Sequence, residues 1–140
     1  MYASQTDIEN RLDPKHLIEL TDDDNDGMAD ADVITAAITD ADGVIDTHLA
    51  ARYACPFATP PALITKISTA LAIGTLFARR RESASPTHEA RAKAAMDLLH
   101  ALAEGSLLLA GDDAGVRLGA PDSTTRDTGK TFSRDALDSF

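Results

Sequence analysis

The densest set of metal-ligating side chains in this chain is Asp22-Asp23-Asp24-Asn25-Asp26-Gly27-Met28-Ala29-Asp30. A hard cation such as Ca²⁺ takes several oxygens at about 2.4 Å. An EF-hand loop supplies them from its first, third and fifth places, from a backbone carbonyl at the seventh and from the ninth, with Gly at the sixth for the sharp turn. Asp22, Asp24, Asp26, Gly27, the Met28 carbonyl and Asp30 fall at those places. The match then stops, because the twelfth place is Val33 and not Glu, with Asp32 one place early. The pattern therefore supports a Ca²⁺ site lacking its bidentate ligand, formed by Asp22, Asp24, Asp26, Met28 and Asp30. The simpler reading, which the broken match favours, is an acidic turn in which Asp30 caps the next helix and Asp32 occupies its first turn. The two can coexist.

Other candidate chemistry is thinner. Gly129-Lys130-Thr131 resembles the end of a phosphate-binding loop, but Thr124 stands where the first Gly is required. Gly111, Gly115 and Gly119 do not spell a dinucleotide fingerprint. His16, His48, His88 and His100 sit on different segments without metal-ligand spacing. Cys55 precedes Pro56 and has no cationic helix start nearby to lower its pKa. No serine lies in a nucleophile-elbow sequence. No catalytic residues emerge, and the chain reads as a non-enzyme without a required cofactor.

The elements that must position these residues are helical. Thr6-Asp7-Ile8-Glu9 fits a capping box and predicts a helix over Thr6–Leu12. Asp13-Pro14 predicts another over Asp13–Leu20, with Pro at the first helical position. Ile34, Ala37, Ile38, Ala41, Ile45 and Leu49 recur at three- and four-residue spacing, predicting a helix over Ala31–Tyr53. Asp40, Asp42, Asp46 and Arg52 lie mostly off that stripe, and Gly43 offers a place for close packing. Pro60 opens a helix to Arg81 that is apolar on most sides, which marks it as central. Its closing run Arg79-Arg80-Arg81 complements the helix dipole or meets an acidic partner. Ser85-Pro86 opens the last helix, and Gly105 closes it. The fold class is all-α, a small bundle of four to five helices.

A chain of 140 residues holds one domain plus an arm. The expected division is a helical domain over residues 1–108 and an extended C-terminal arm over 109–140, with a strand-like piece at Val116–Leu118. A net charge of −10 argues against a nucleic-acid grip. The single cysteine cannot form an internal disulfide, which fits a reducing compartment. The N-terminus shows no signal-peptide pattern, and the longest apolar stretch, Ala62–Ala78, carries enough polar residues to be a buried helix rather than a membrane span.

The arm is too rich in Gly, Asp and Thr to fold alone, yet it carries Phe132, Leu137 and Phe140 among alternating charges. Apolar groups on such an arm gain only by burial against a neighbour. The expected assembly interface is Phe132, Leu137 and Phe140 in a neighbour's apolar pockets, with Arg126, Lys130 and Arg134 meeting carboxylates around them.

Several segments together resemble the small head–tail joining protein of Mu-like phages and prophages. They are Met1-Tyr2-Ala3 with Asp7-Ile8 and Arg11-Leu12, Leu17-Ile18-Glu19-Leu20-Thr21-Asp22, Ile38-Thr39-Asp40-Ala41 with Ile45-Asp46, and Leu49-Ala50-Ala51-Arg52-Tyr53. Pro56 with Pro60-Pro61-Ala62-Leu63, and Phe132-Ser133-Arg134-Asp135-Ala136-Leu137 with Phe140, complete the set. The likeness covers nearly the whole chain. It implies a virion protein of the neck, assembled in the host cytoplasm: a helical adaptor forming a dodecameric ring under the portal protein. A tail-side connector or tail terminator protein would dock below, and DNA would pass through without specific binding. It implies no membrane partner and no catalytic site. The acidic loop departs from the usual joining-protein picture, which leaves open whether that loop is structural or a metal site.

Overall fold

The computed structural model describes residues 1–80 and 84–109. Five helices follow in chain order: α1 Gln5–Glu9, α2 Pro14–Thr21, α3 Ala31–Leu49, α4 Ala62–Arg80 and α5 Pro86–Glu104. No β-strand occurs among the described residues, so the all-α expectation holds. Arg126, Lys130, Phe132, Arg134, Leu137 and Phe140, like Val116–Leu118 and Arg81, lie outside the described residues.

Helix α1 starts earlier than Thr6. Ser4 is the cap, its hydroxyl accepting from the Asp7 amide at 3.2 Å while the Asp7 carboxylate accepts from the Ser4 amide at 2.8 Å. The Ser4 hydroxyl and amide hold the Asp7 carboxyl below the usual carboxylate range. Thr6 and Glu9 fit the same box pattern. The earlier frame wins because it lets Tyr2 and Ala3 be buried ahead of α1 and Ile8 within it. Helix α2 begins as expected, with the Asp13 carboxylate accepting from the Lys15 amide at 2.9 Å and Pro14 next.

Helix α3 presents Ile34, Ala37, Ile38, Ala41, Ile45 and Leu49 to the interior, the stripe read from spacing. It stops at Leu49, four residues short of Tyr53. The chain then turns so that Tyr53 and Phe57 enter the core. Gly43 plays no packing role, because a Cβ there would meet nothing within 4 Å. Gly74 faces α5, where an added Cβ would stand in ordinary van der Waals contact, 3.6 Å from that of Ala92.

Helix α4 packs against α3 on one side and α5 on the other. Ile64, Ile67, Ala72, Ile73, Leu76 and Phe77 are buried in it. By length and mean hydropathy (1.3) it could cross a membrane, yet in this bundle its apolar residues meet protein on both flanks. Two clusters make the core. The first joins α1, α2, the start of α3 and the end of α4, with Ile8, Leu20, Ile38 and Leu76 among its members. The second joins the end of α3, the start of α4 and α5, and includes Ile45, Ile64, Leu99 and Leu102. That exchange of ends makes α3 and α4 antiparallel. Gly105 closes α5 at φ +84°, with the Arg52 guanidinium donating to the Glu104 carbonyl at 3.4 Å. Leu109 then packs back into the second cluster.

Candidate functional site

The acidic loop joins α2 to α3 and is built from its own side chains. The Asp22 carboxylate accepts from the amides of Asp26 at 3.2 Å and Gly27 at 3.0 Å. The Asp24 carboxylate also accepts from the Asp26 amide at 3.2 Å, and that of Asp26 from the Met28 amide at 2.8 Å. These are the local turns that Asp residues favour. Two positive φ values, +59° at Asn25 and +81° at Gly27, let the chain reverse. Among the described residues, Asp22, Asp24 and Asp26 form the one group of ligating side chains that could hold a metal ion, their oxygens lying within 4.8 Å of one another.

Asp30 does not join them. It stands at the N-cap of α3 but makes no cap bond; its carboxylate instead accepts from the Asp23 amide at 3.0 Å, closing the base of the loop. The expected cap is therefore corrected: the side chain serves the loop, not the helix. Val33, at the place where an EF-hand needs Glu, packs against the first core cluster. A ligand there would cost core burial.

The loop has an internal counter-ion. The guanidinium groups of Arg79 and Arg80 both pair with the Asp23 carboxylate, Arg80 at 3.2 Å. They also donate to the Leu20 carbonyl at 3.3 and 3.4 Å, and Arg80 donates to the Asp22 carbonyl. The acidic partner of Arg79 and Arg80 is thus the chain's own loop, and the two also cover carbonyls left open at the end of α2. These pairs are more than a third exposed, so each is worth about 0–1 kcal/mol. Their effect is to fix the loop against the end of α4.

A second polar cluster escaped the sequence reading. Tyr2 lies on α3, its amide donating to Asp42 at 2.8 Å and its hydroxyl to Asp46. That hydroxyl also accepts from the Phe57 amide at 3.0 Å. The other Asp42 oxygen accepts from the buried Ser68 hydroxyl of α4 at 2.7 Å. Burial, and then the bond to Asp46, push the Tyr2 phenol far above its ordinary pKa. Asp42 and Asp46 recur four apart beside the apolar stripe, a signal indistinguishable in sequence from a solvated edge.

The histidines do not gather into one site. His48 of α3 and His100 of α5 lie tilted against each other, ring centroids 5.4 Å apart. His88 lies against Phe77 at 5.4 Å, its pKa lowered first by burial and then by Arg91 and His16.

A protein-family model described as "Bacteriophage Mu, Gp36" matches residues 2–127 of the chain. No match was found among curated proteins. The matched span runs through all five helices, the acidic loop and the Tyr2 cluster.

Proposed function

We propose, from the premise that this chain belongs to the bacteriophage Mu Gp36 family, that it is a structural head–tail connector of a Mu-like phage. The observation that carries the reading is that match, which spans nearly the whole chain and every described helix. The family is one of phage structural or morphogenesis proteins. Copies of the bundle form a ring, a dodecamer, between the portal and the tail-side neck protein. The arm that follows Leu109, which itself packs in the second core cluster, is the assembly element of each copy. The acidic surface leaves DNA free to pass, because like charge keeps the duplex from sticking, within the roughly 8–10 Å over which salt permits it. The protein then resides at the neck of the virion after assembly in the host cytoplasm. A phage carrying a nonsense mutation in this gene should yield DNA-filled heads and free tails that do not join, and wild-type particles should show this protein at the head–tail junction. Joined particles without the protein would overturn the reading.

A second reading has one observation in its favour, the convergence of Asp22, Asp24 and Asp26 oxygens. Under it the loop is a weak Ca²⁺ site and the protein a small acidic binding module. Three carboxylates without a bidentate Glu set an affinity of roughly millimolar, the range of the weaker extracellular modules. Titration calorimetry of the purified chain should then show heat at millimolar Ca²⁺ that is lost in Asp24→Ala. No heat at that concentration removes the site.

A further inference from the structure

The acidic chain carries a cationic hollow among its described residues. Helices α4 and α5 enclose a groove of about 440 Å³, with Arg11 at one side. Its floor is Ile67, Ala70, Ile73 and Leu98, and its rim holds Lys66, His88, Arg91 and Arg11. No carboxylate lines it among the described residues. Among the described residues none of Arg11, Lys66 and Arg91 closes an ion pair, though Arg11 helps lower the pKa of Asp7. An apolar floor inside a basic rim suits an apolar knob flanked by acids.

The same molecule exposes such a knob. Met28 is 67 % exposed at the acidic loop, next to Asp24 and Asp26, which are exposed and have no cationic partner among the described residues. We propose that the groove of one copy receives the Met28 tip of the acidic loop of a second copy, with Asp24 and Asp26 meeting Lys66, Arg91 and Arg11. Methionine is an adaptable filler of irregular apolar hollows. The loop is held in advance by its internal hydrogen bonds and by Arg79 and Arg80, so little freedom is lost on docking. The C-terminal arm is a poorer occupant: residues 126–140 carry three cations and three acids, whereas residues 22–26 carry four acids and no cation.

Groove and loop are separate patches, the one on residues 66–73 of α4 with α5, the other at the far end of α4 beyond Arg79. A contact between two different patches is head-to-tail, and it closes into a ring when the rotation permits. The interface deepens the ring reading given above and rests on it for closure; the connector role is tested on particles, this contact on purified protein.

The test uses the full chain with a photo-crosslinking amino acid at Met28, mixed with isotope-labelled chain over a concentration series. Crosslinks are expected between a light and a heavy chain, landing in residues 66–73 or 88–98. Arg91→Glu should weaken self-association about tenfold or more, and adding Asp24→Arg should restore it. Both positions are exposed, and melting curves confirm that each variant is folded. Crosslinks confined to one chain, crosslinks elsewhere on the bundle, none at any concentration, or a probe at Ala94 that captures residues 131–140 instead would each overturn the proposal. So would folded Arg91→Glu protein that associates normally.

Discussion

A chain lacking residues 131–140 is expected to melt like the full chain and yet to leave heads and tails unjoined. Every residue of the two described core clusters lies between Tyr2 and Leu109, so the deletion removes none of them. What it removes is Phe132, Leu137 and Phe140. Each buried Phe contributes roughly 1.5–3 kcal/mol before the entropy of ordering the arm is set against it. The charges Arg126, Lys130 and Arg134 add about 1 kcal/mol or less apiece. The aromatic anchors must therefore carry the docking, and Phe132→Ala or Phe140→Ala alone should weaken it by roughly tenfold to a hundredfold. The measurements are thermal melting of the purified truncation and the yield of joined particles when it replaces the full chain. Normal joining by the truncation would show that the arm is not the assembly element. Failure to fold would return the arm to the protein's own core.

The helices were legible because each announces itself locally. Asp13-Pro14 and Ser85-Pro86 are start signals that need no tertiary knowledge, and the α3 stripe at three- and four-residue spacing is the buried face itself, whereas Pro60 does not open α4, which begins at Ala62 with the Pro61 carbonyl accepting from the Thr65 amide at 3.1 Å. Boundaries were less legible where two local solutions compete. Ser4 with Asp7 and Thr6 with Glu9 both satisfy a capping box, and only the burial of Tyr2 and Ala3 selects the first. Pairings across the chain were not legible at all. Arg79 reads as a complement to its own helix dipole, but its carboxylate lies 56 residues away in the acidic loop. His48 and His100 have no meaningful spacing until α3 and α5 are laid side by side. The acidic loop was found by composition and spacing. What spacing could not show is that its oxygens are already engaged with the loop's own amides, and that Asp30 turns back to Asp23.

The Tyr2 cluster gives the largest stability effect expected of a single polar side chain here. Asp42→Ala removes the acceptor of two hydrogen bonds, from the Tyr2 amide at 2.8 Å and the Ser68 hydroxyl at 2.7 Å. A bond to a charged group contributes about 1.5–3 kcal/mol. Ser68 is fully buried, so its hydroxyl loses its partner out of reach of water. Part of that loss is recoverable if the hydroxyl turns to the carbonyl four residues back, as Thr69 does to Thr65 at 2.7 Å. The net expectation is a loss of about 2–3 kcal/mol, a fall in Tm of roughly 10–20 °C for a domain of this size. Asp40→Ala, an exposed acid on the same helix, should change stability by no more than about 0.5 kcal/mol. Ser68→Ala should cost about 1 kcal/mol, and its effect should largely vanish on top of Asp42→Ala because both report one bond. The same cluster sets an alkaline limit. The Tyr2 phenol has its pKa raised in the fold by burial and by Asp46, so its contribution is whole below the ordinary tyrosine pKa of about 10 and drains away as pH rises above it. Urea melts of the unmutated chain and the four variants at neutral pH, repeated above pH 10, read both effects. An Asp42→Ala protein as stable as Asp40→Ala would show that α3 and α4 hold together without this contact.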